Sequence, residues 1–130
     1  MTAKEKWDVS KFLARLFLCF AVFGGVSFPS QGVAGPVENA IRSAESYLSM
    51  TGFSRDGLIE QLSSPYGDGY SISDATAAVD SLSVDWNAQA VRSAEQYLQM
   101  TGFSCNGLIE QLSSEYGSKY TVDQATYGAK

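Results

Sequence analysis

The residues whose type and spacing bear on chemistry are acidic. Glu45 and Glu95 stand fifty positions apart, as do Glu60 and Glu110, with Asp56 and Glu115 near them. Catalysis by paired carboxylates needs an acid and a base held across one substrate atom. No spacing here marks such a dyad. The chain has no histidine, so neither a Ser/His nor a Cys/His nucleophile pair can form. Phosphate-binding and calcium-binding loops are absent from the sequence, and the two cysteines, Cys19 and Cys105, make no metal cluster. The expectation is a protein without cofactor that is not an enzyme. Six of its carboxylates, Glu45, Asp56, Glu60, Glu95, Glu110 and Glu115, can instead form a negative surface that steers a basic polypeptide toward it. Their plainer role is a solvated surface that keeps the chain soluble.

The elements that position these acids occur twice. Residues 40–79 laid over residues 90–129 match without a gap at about 25 of 40 positions. One small unit used in tandem is the expected organisation: repeat 1 over 36–84, repeat 2 over 85–130. A unit this small is near the lower limit for a stable core, so the two are expected to pack on each other.

Within each unit the pattern predicts three helices, giving an all-α fold. Ala40, Ile41, Ala44, Tyr47 and Leu48 fall on one helical face after Pro36, which suits a first helical position. Gly52 is expected to stop that helix and Ser54 to cap the next, whose inner face is Leu58, Ile59 and Leu62. Gly57 and Gly107 weaken a first turn by about 1 kcal/mol, which suggests close approach by a neighbouring helix. A third helix from Ser71 should carry Ile72, Ala75, Val79 and Leu82 inward. Ser71 with Asp74 reads as a capping pair, and Thr121 with Gln124 as a fuller capping box. Asp85 caps the first helix of repeat 2. The same scheme runs on through Ala90, Val91, Ala94, Tyr97, Leu98, Phe103, Leu108, Ile109, Leu112 and Val122. Glu115 replaces Pro65, so the second helix of repeat 2 should run slightly longer. Trp86 is expected at the junction of the repeats. Cys105 occupies the position of Arg55 and is either an idle thiol or a cross-link to another chain outside the cell.

Before the repeats lies a different kind of sequence. Residues 1–35 carry four basic and two acidic side chains, then an uncharged apolar run from Leu16 to Phe28, then Gly32, Val33 and Ala34. Charged, apolar and small segments in that order are the layout of a secretory signal. An uncleaved anchor helix holding the repeats at the membrane is the other reading. Either one exports the body. That body holds twelve acids against five bases, a formal charge of −7. Three short helices joined by glycine turns are compatible with DNA binding, but a reader helix needs basic residues. The second helix here offers Arg55 against Asp56 and Glu60, its copy Asn106 and Glu110, and the third helix Asp74 and Asp80. No nucleic acid is expected as a partner.

Ala44-x-x-Tyr47-Leu48, Phe53-Ser54-x-x-Gly57-Leu58-Ile59-x-Gln61-Leu62, Tyr66-Gly67 and Asp85-Trp86-x-x-Gln89-Ala90 resemble the Ltp family of host-cell-surface-exposed lipoproteins, some of them prophage-encoded. The resemblance covers about residues 37–128. It implies a pair of helix–turn–helix-like units displayed outside the membrane. It also implies superinfection exclusion, in which a resident phage's protein blocks DNA injection by a related phage through contact with its tape measure protein. The partner implied is a basic segment of a phage or cell-envelope protein, with the membrane added if residues 1–35 are retained. The chain departs from the family at its lipobox: Cys19 lies among Phe17, Leu18 and Phe20, without the polar linker that should follow. A structural or adhesive module of the cell envelope is the alternative function.

Overall fold

Proline at position 36 opens helix α1, Pro36–Met50, where its missing N–H leaves no bond unmade. In this computed structural model, described over residues 34–130, that helix begins a bundle repeated once. Helix α2 is Arg55–Ser63 and α3 is Ile72–Ser81; α4 (Trp86–Met100), α5 (Cys105–Ser113) and α6 (Val122–Gly128) follow in repeat 2. The apolar signal or anchor helix expected over residues 1–35 lies outside the described residues, apart from its last two. Among the described residues no helix is long and apolar enough to cross a membrane.

Local side chains set the helix starts. The hydroxyls of Ser54, Ser71 and Ser104 accept from the backbone N–H three residues on, at 2.9, 3.0 and 3.0 Å. Asp85 accepts from Ala88 N–H at 3.1 Å. Thr121 and Gln124 form the reciprocal capping box, at 3.2 and 3.1 Å. Each cap is worth about 1 kcal/mol against alanine.

Each repeat has its own core. In the first, Ala44, Leu58, Leu62, Ala75 and Val79 are fully buried together. In the second, Ala90, Ala94, Leu108, Leu112, Tyr120 and Ala125 do the same. Alanines on α1 and α4 let the third helix of each bundle come close. Burial of a leucine side chain contributes about 1.5–3 kcal/mol. Tyr47 meets Phe53 edge to face at 5.7 Å, and Tyr97 meets Phe103 at 5.8 Å, closing the bend between the first two helices of each unit.

Several expectations need correction. Ile72 is 72 % exposed and Val122 64 %. Both are the first residue of their helix, ahead of the turn that meets the core. Ala78, unremarked in the sequence, is buried instead. Leu98 is 51 % exposed, whereas its counterpart Leu48 packs on a core that Leu82 and Trp86 extend. Nothing among the described residues extends the second core in that way. Helix α5 is no longer than α2, because Ser114 is already extended and the loop bonds back to the helix through Ser118 N–H and Gln111 C=O at 3.2 Å. Gly52 stands just past the end of α1, as expected, but without the left-handed conformation of a glycine stop; Thr51 before it is already extended. Gly57 meets no neighbouring helix. A Cβ there would lie 2.9 Å from the Ser54 hydroxyl and 3.4 Å from the Ser118 carbonyl oxygen.

Candidate functional site

Helices that pack closely do so within one repeat. The repeats themselves are joined by polar side chains, loops and Trp86, and this junction builds the candidate site. Trp86, at the first position of α4, packs half-buried against the core of repeat 1. One turn on, Gln89 accepts from Phe53 N–H at 3.4 Å. Arg92 then lays its guanidinium over the end of α1, donating to the Leu48 carbonyl and, at 2.9 Å, to that of Ser49. Carbonyls at a helix C-terminus lack intrahelical partners and carry partial negative charge, so a cation there satisfies both needs. Gln96 accepts from the Thr51 hydroxyl at 2.7 Å and from Gly52 N–H at 3.4 Å. Thus Gln89, Arg92 and Gln96, on one face of α4, grip the segment that links α1 to α2.

Gly52 makes that grip possible. A Cβ at this position would lie 2.9 Å from both the Gln89 carbonyl oxygen and the Ser93 nitrogen, inside the backbone of α4. Ser93 is buried behind it and bonds the Tyr120 hydroxyl at 2.7 Å. Burial pushes the Tyr120 hydroxyl up to about 12, with the Ser93 bond opposing the shift.

The loop before α6 closes the junction from the other side. The Ser54 hydroxyl, already capping α2, donates to the Ser118 carbonyl. Lys119 reaches across to Glu60 as an ion pair. Its backbone is at φ 59°, the left-handed region, as is its counterpart in repeat 1, Gly69, at φ 71°. A non-glycine residue there costs about 1–2 kcal/mol. The loop itself sets this conformation in both repeats: Gly69 N–H donates to the Ser64 carbonyl at 3.0 Å and Lys119 N–H to that of Ser114 at 3.2 Å.

Around Lys119 lies an open groove lined by Asp56, Glu60, Glu115, Tyr116 and Thr121. Three of the six candidate acids therefore gather at one place, drawn from both repeats. Glu45, Glu95 and Glu110 are exposed and do not line it. Asp56 is paired with Arg55 at 3.2 Å, while among the described residues no cation stands within ion-pair distance of Glu115. Tyr116 is fully exposed beside them. An aromatic face next to carboxylates suits a lysine or arginine, through cation–π attraction as well as charge. Elsewhere Arg55 holds Asp80 with two bonds, at 2.7 and 2.8 Å, which lowers the Asp80 pKa. The Tyr47 hydroxyl donates to Asp68 at 2.9 Å, and this bond raises the tyrosine's pKa. Among the described residues no cluster of three or more metal-binding side chains occurs. Cys105 is exposed, its thiol 3.9 Å from the Ala129 carbonyl oxygen.

Sequence reasoning missed Arg92, Gln96, Lys119 and Tyr116. The signal for two of them was present. Gln96 and Lys119 are positions where repeat 2 departs from repeat 1, which has Ser46 and Gly69.

The described residues thus form a tandem pair of three-helix bundles with an acidic, aromatic groove at their junction. The sequence model of the host cell surface-exposed lipoproteins, Ltp, matches residues 37–82 and again 85–130, and the chain belongs to that family. Among solved structures it is similar to Ltp, a superinfection exclusion protein from the Streptococcus thermophilus temperate phage TP-J34. The two share 31 % identity over 75 % of this chain and 96 % of that one, with a TM-score of 0.66. No curated protein sequence matches.

Proposed function

We propose that this protein confers superinfection exclusion: displayed on the outer face of the membrane, it blocks DNA injection by a related phage. The observation that carries this reading is the likeness to the TP-J34 exclusion protein, which spans both repeats at 31 % identity. The partner we propose is a basic segment of an injection protein, the tape measure protein, met as it reaches the membrane. A body charge of −7 supports this choice. So does the groove lined by Asp56, Glu60 and Glu115 together with an exposed tyrosine. Residues 1–35 deliver the body, either as a cleaved signal or as a retained anchor; retention keeps the repeats where injection occurs.

The test is plating. A susceptible bacterium expressing the chain should show fewer plaques with injection-dependent phage while adsorbing as many particles as before. Unchanged plaque counts with every phage tested, from cells in which the protein is exported, would sink the reading.

A further inference from the structure

The segment that α4 grips on repeat 1 is present again on repeat 2, and among the described residues nothing grips it. Met-Thr-Gly-Phe-Ser occurs at 50–54 and at 100–104. In the first copy Ser54 is 1 % exposed and Thr51 and Gly52 are half-buried; in the second Thr101, Gly102 and Ser104 are all exposed. The glycines make the contrast sharpest. A Cβ on Gly52 would strike the backbone of α4, while one on Gly102 would meet nothing within 4 Å. Neither glycine is in the left-handed region, so backbone conformation requires neither of them. Gly102 fits a helix that must come close, and among the described residues no such helix is there.

The hydrogen-bonding groups are open too. The counterparts of the Leu48 and Ser49 carbonyls, which take Arg92 on repeat 1, are those of Leu98 and Gln99. Thr51, Gly52 and Phe53 bond to glutamine side chains; among the described residues Thr101, Gly102 and Phe103 have no such bonds. Ser104 caps α5 as Ser54 caps α2, but only Ser54 also donates across to a carbonyl. Exposed Leu98 and Met100 supply an apolar rim.

We propose that residues 98–105 form a docking surface for an arginine-bearing helix of a partner protein, seated there as α4 is seated on repeat 1. The partner helix presents arginine with amide side chains about one turn to either side, the arrangement of Gln89, Arg92 and Gln96. The proposal rests on the reading that the protein works by capturing a polypeptide, and adds the face and the chemistry. A second copy of this chain fits the face poorly. Its own counterparts are Asn39, Arg42 and Ser46: Asn39 keeps an amide on a shorter side chain, Arg42 is unchanged, and Ser46 lacks the amide with which Gln96 accepts. Two bodies of charge −7 also repel.

The structure supplies a probe: a helix-stapled peptide of residues 85–100, added to the isotope-labelled full chain and followed by amide NMR shifts. Saturable shifts confined to residues 98–105 are expected. Gly102→Leu in the protein, and separately Arg92→Ala in the peptide, should each weaken binding more than tenfold. The thermal midpoint of Gly102→Leu should match that of the parent, and the peptide variant decides the matter if it does not. No shifts at 98–105, shifts at 51–54 instead, or equal binding by both variants would overturn the proposal. So would shifts at 98–105 that depend on protein concentration without peptide, which would identify a second copy as the occupant. In the plating assay Gly102→Leu should lose protection. Full protection by this variant overturns the docking surface and leaves exclusion standing; lack of protection by the parent chain contradicts exclusion, and the peptide shifts then decide the surface alone.

Discussion

Single residues carry more of the junction than their size suggests. Gly52 and Gly102 are identical in sequence and opposite in surroundings. Gly52→Ala should destabilise the protein by about 1–3 kcal/mol, since a methyl group there overpacks against α4. Gly102→Ala should stay within about 0.5 kcal/mol, as surface changes usually do. Paired denaturant titrations of the two variants check this, and equal losses would refute the packing described at Gly52. Tyr120 makes a pH prediction. Its hydroxyl is held neutral by burial, with a pKa of about 12 against an ordinary value near 10. A raised folded pKa means that the stability it contributes is full below pH 10 and is lost as pH climbs through about 12. Between pH 9 and pH 11 the thermal midpoint of the parent should therefore fall further than that of Tyr120→Phe, even though the variant starts lower for want of the Ser93 bond. Parallel declines would place the alkaline sensitivity elsewhere.

At the scale of helices, what could be read from sequence is what is local. The caps at Ser54, Ser71, Asp85 and Thr121 each involve groups three residues apart, so residue type and spacing were enough. The apolar faces were legible through Ala44, Leu58, Leu62, Ala75 and Val79, because helical period alone selects them. It failed at Ile72, Val122 and Leu98, which sit at helix ends where the period continues but the core does not. The junction was not legible in the same way. Arg92 meets carbonyls more than forty positions away, and nothing in its own neighbourhood marks it. Acidity of the candidate site was readable; its concentration at Asp56, Glu60 and Glu115 needed the fold. Caps and junction come together at Ser54, whose hydroxyl does both jobs. Ser54→Ala should lose about 1–2 kcal/mol for the cap, and the bond to Ser118 besides. Ser104→Ala should lose the cap alone. Melting both variants measures the difference; a larger loss at Ser104 would contradict a junction that runs through Ser54.

Residues 36–130 repeat one three-helix bundle and carry a net negative charge. Acids outnumber bases there by seven, and the junction gathers three of the acids beside an exposed tyrosine. Attraction of this kind acts chiefly on encounter rate and weakens with salt. Reversing Asp56, Glu60 and Glu115 to lysine should abolish most of the protection, while export and helix content stay as they are. Glu45, Glu95 and Glu110 lie outside the groove, and reversing those three should have a smaller effect. Equal losses from the two triplets would mean that total charge, not the groove, governs the outcome. The most direct measurement is phage genome entry, followed as the internal concentration of phage DNA in the minutes after adsorption. Cells displaying the parent chain should adsorb normally and admit little DNA, and cells displaying the groove triplet should admit it freely. Normal DNA entry past the parent chain, with the protein exported and folded, would contradict a block at injection.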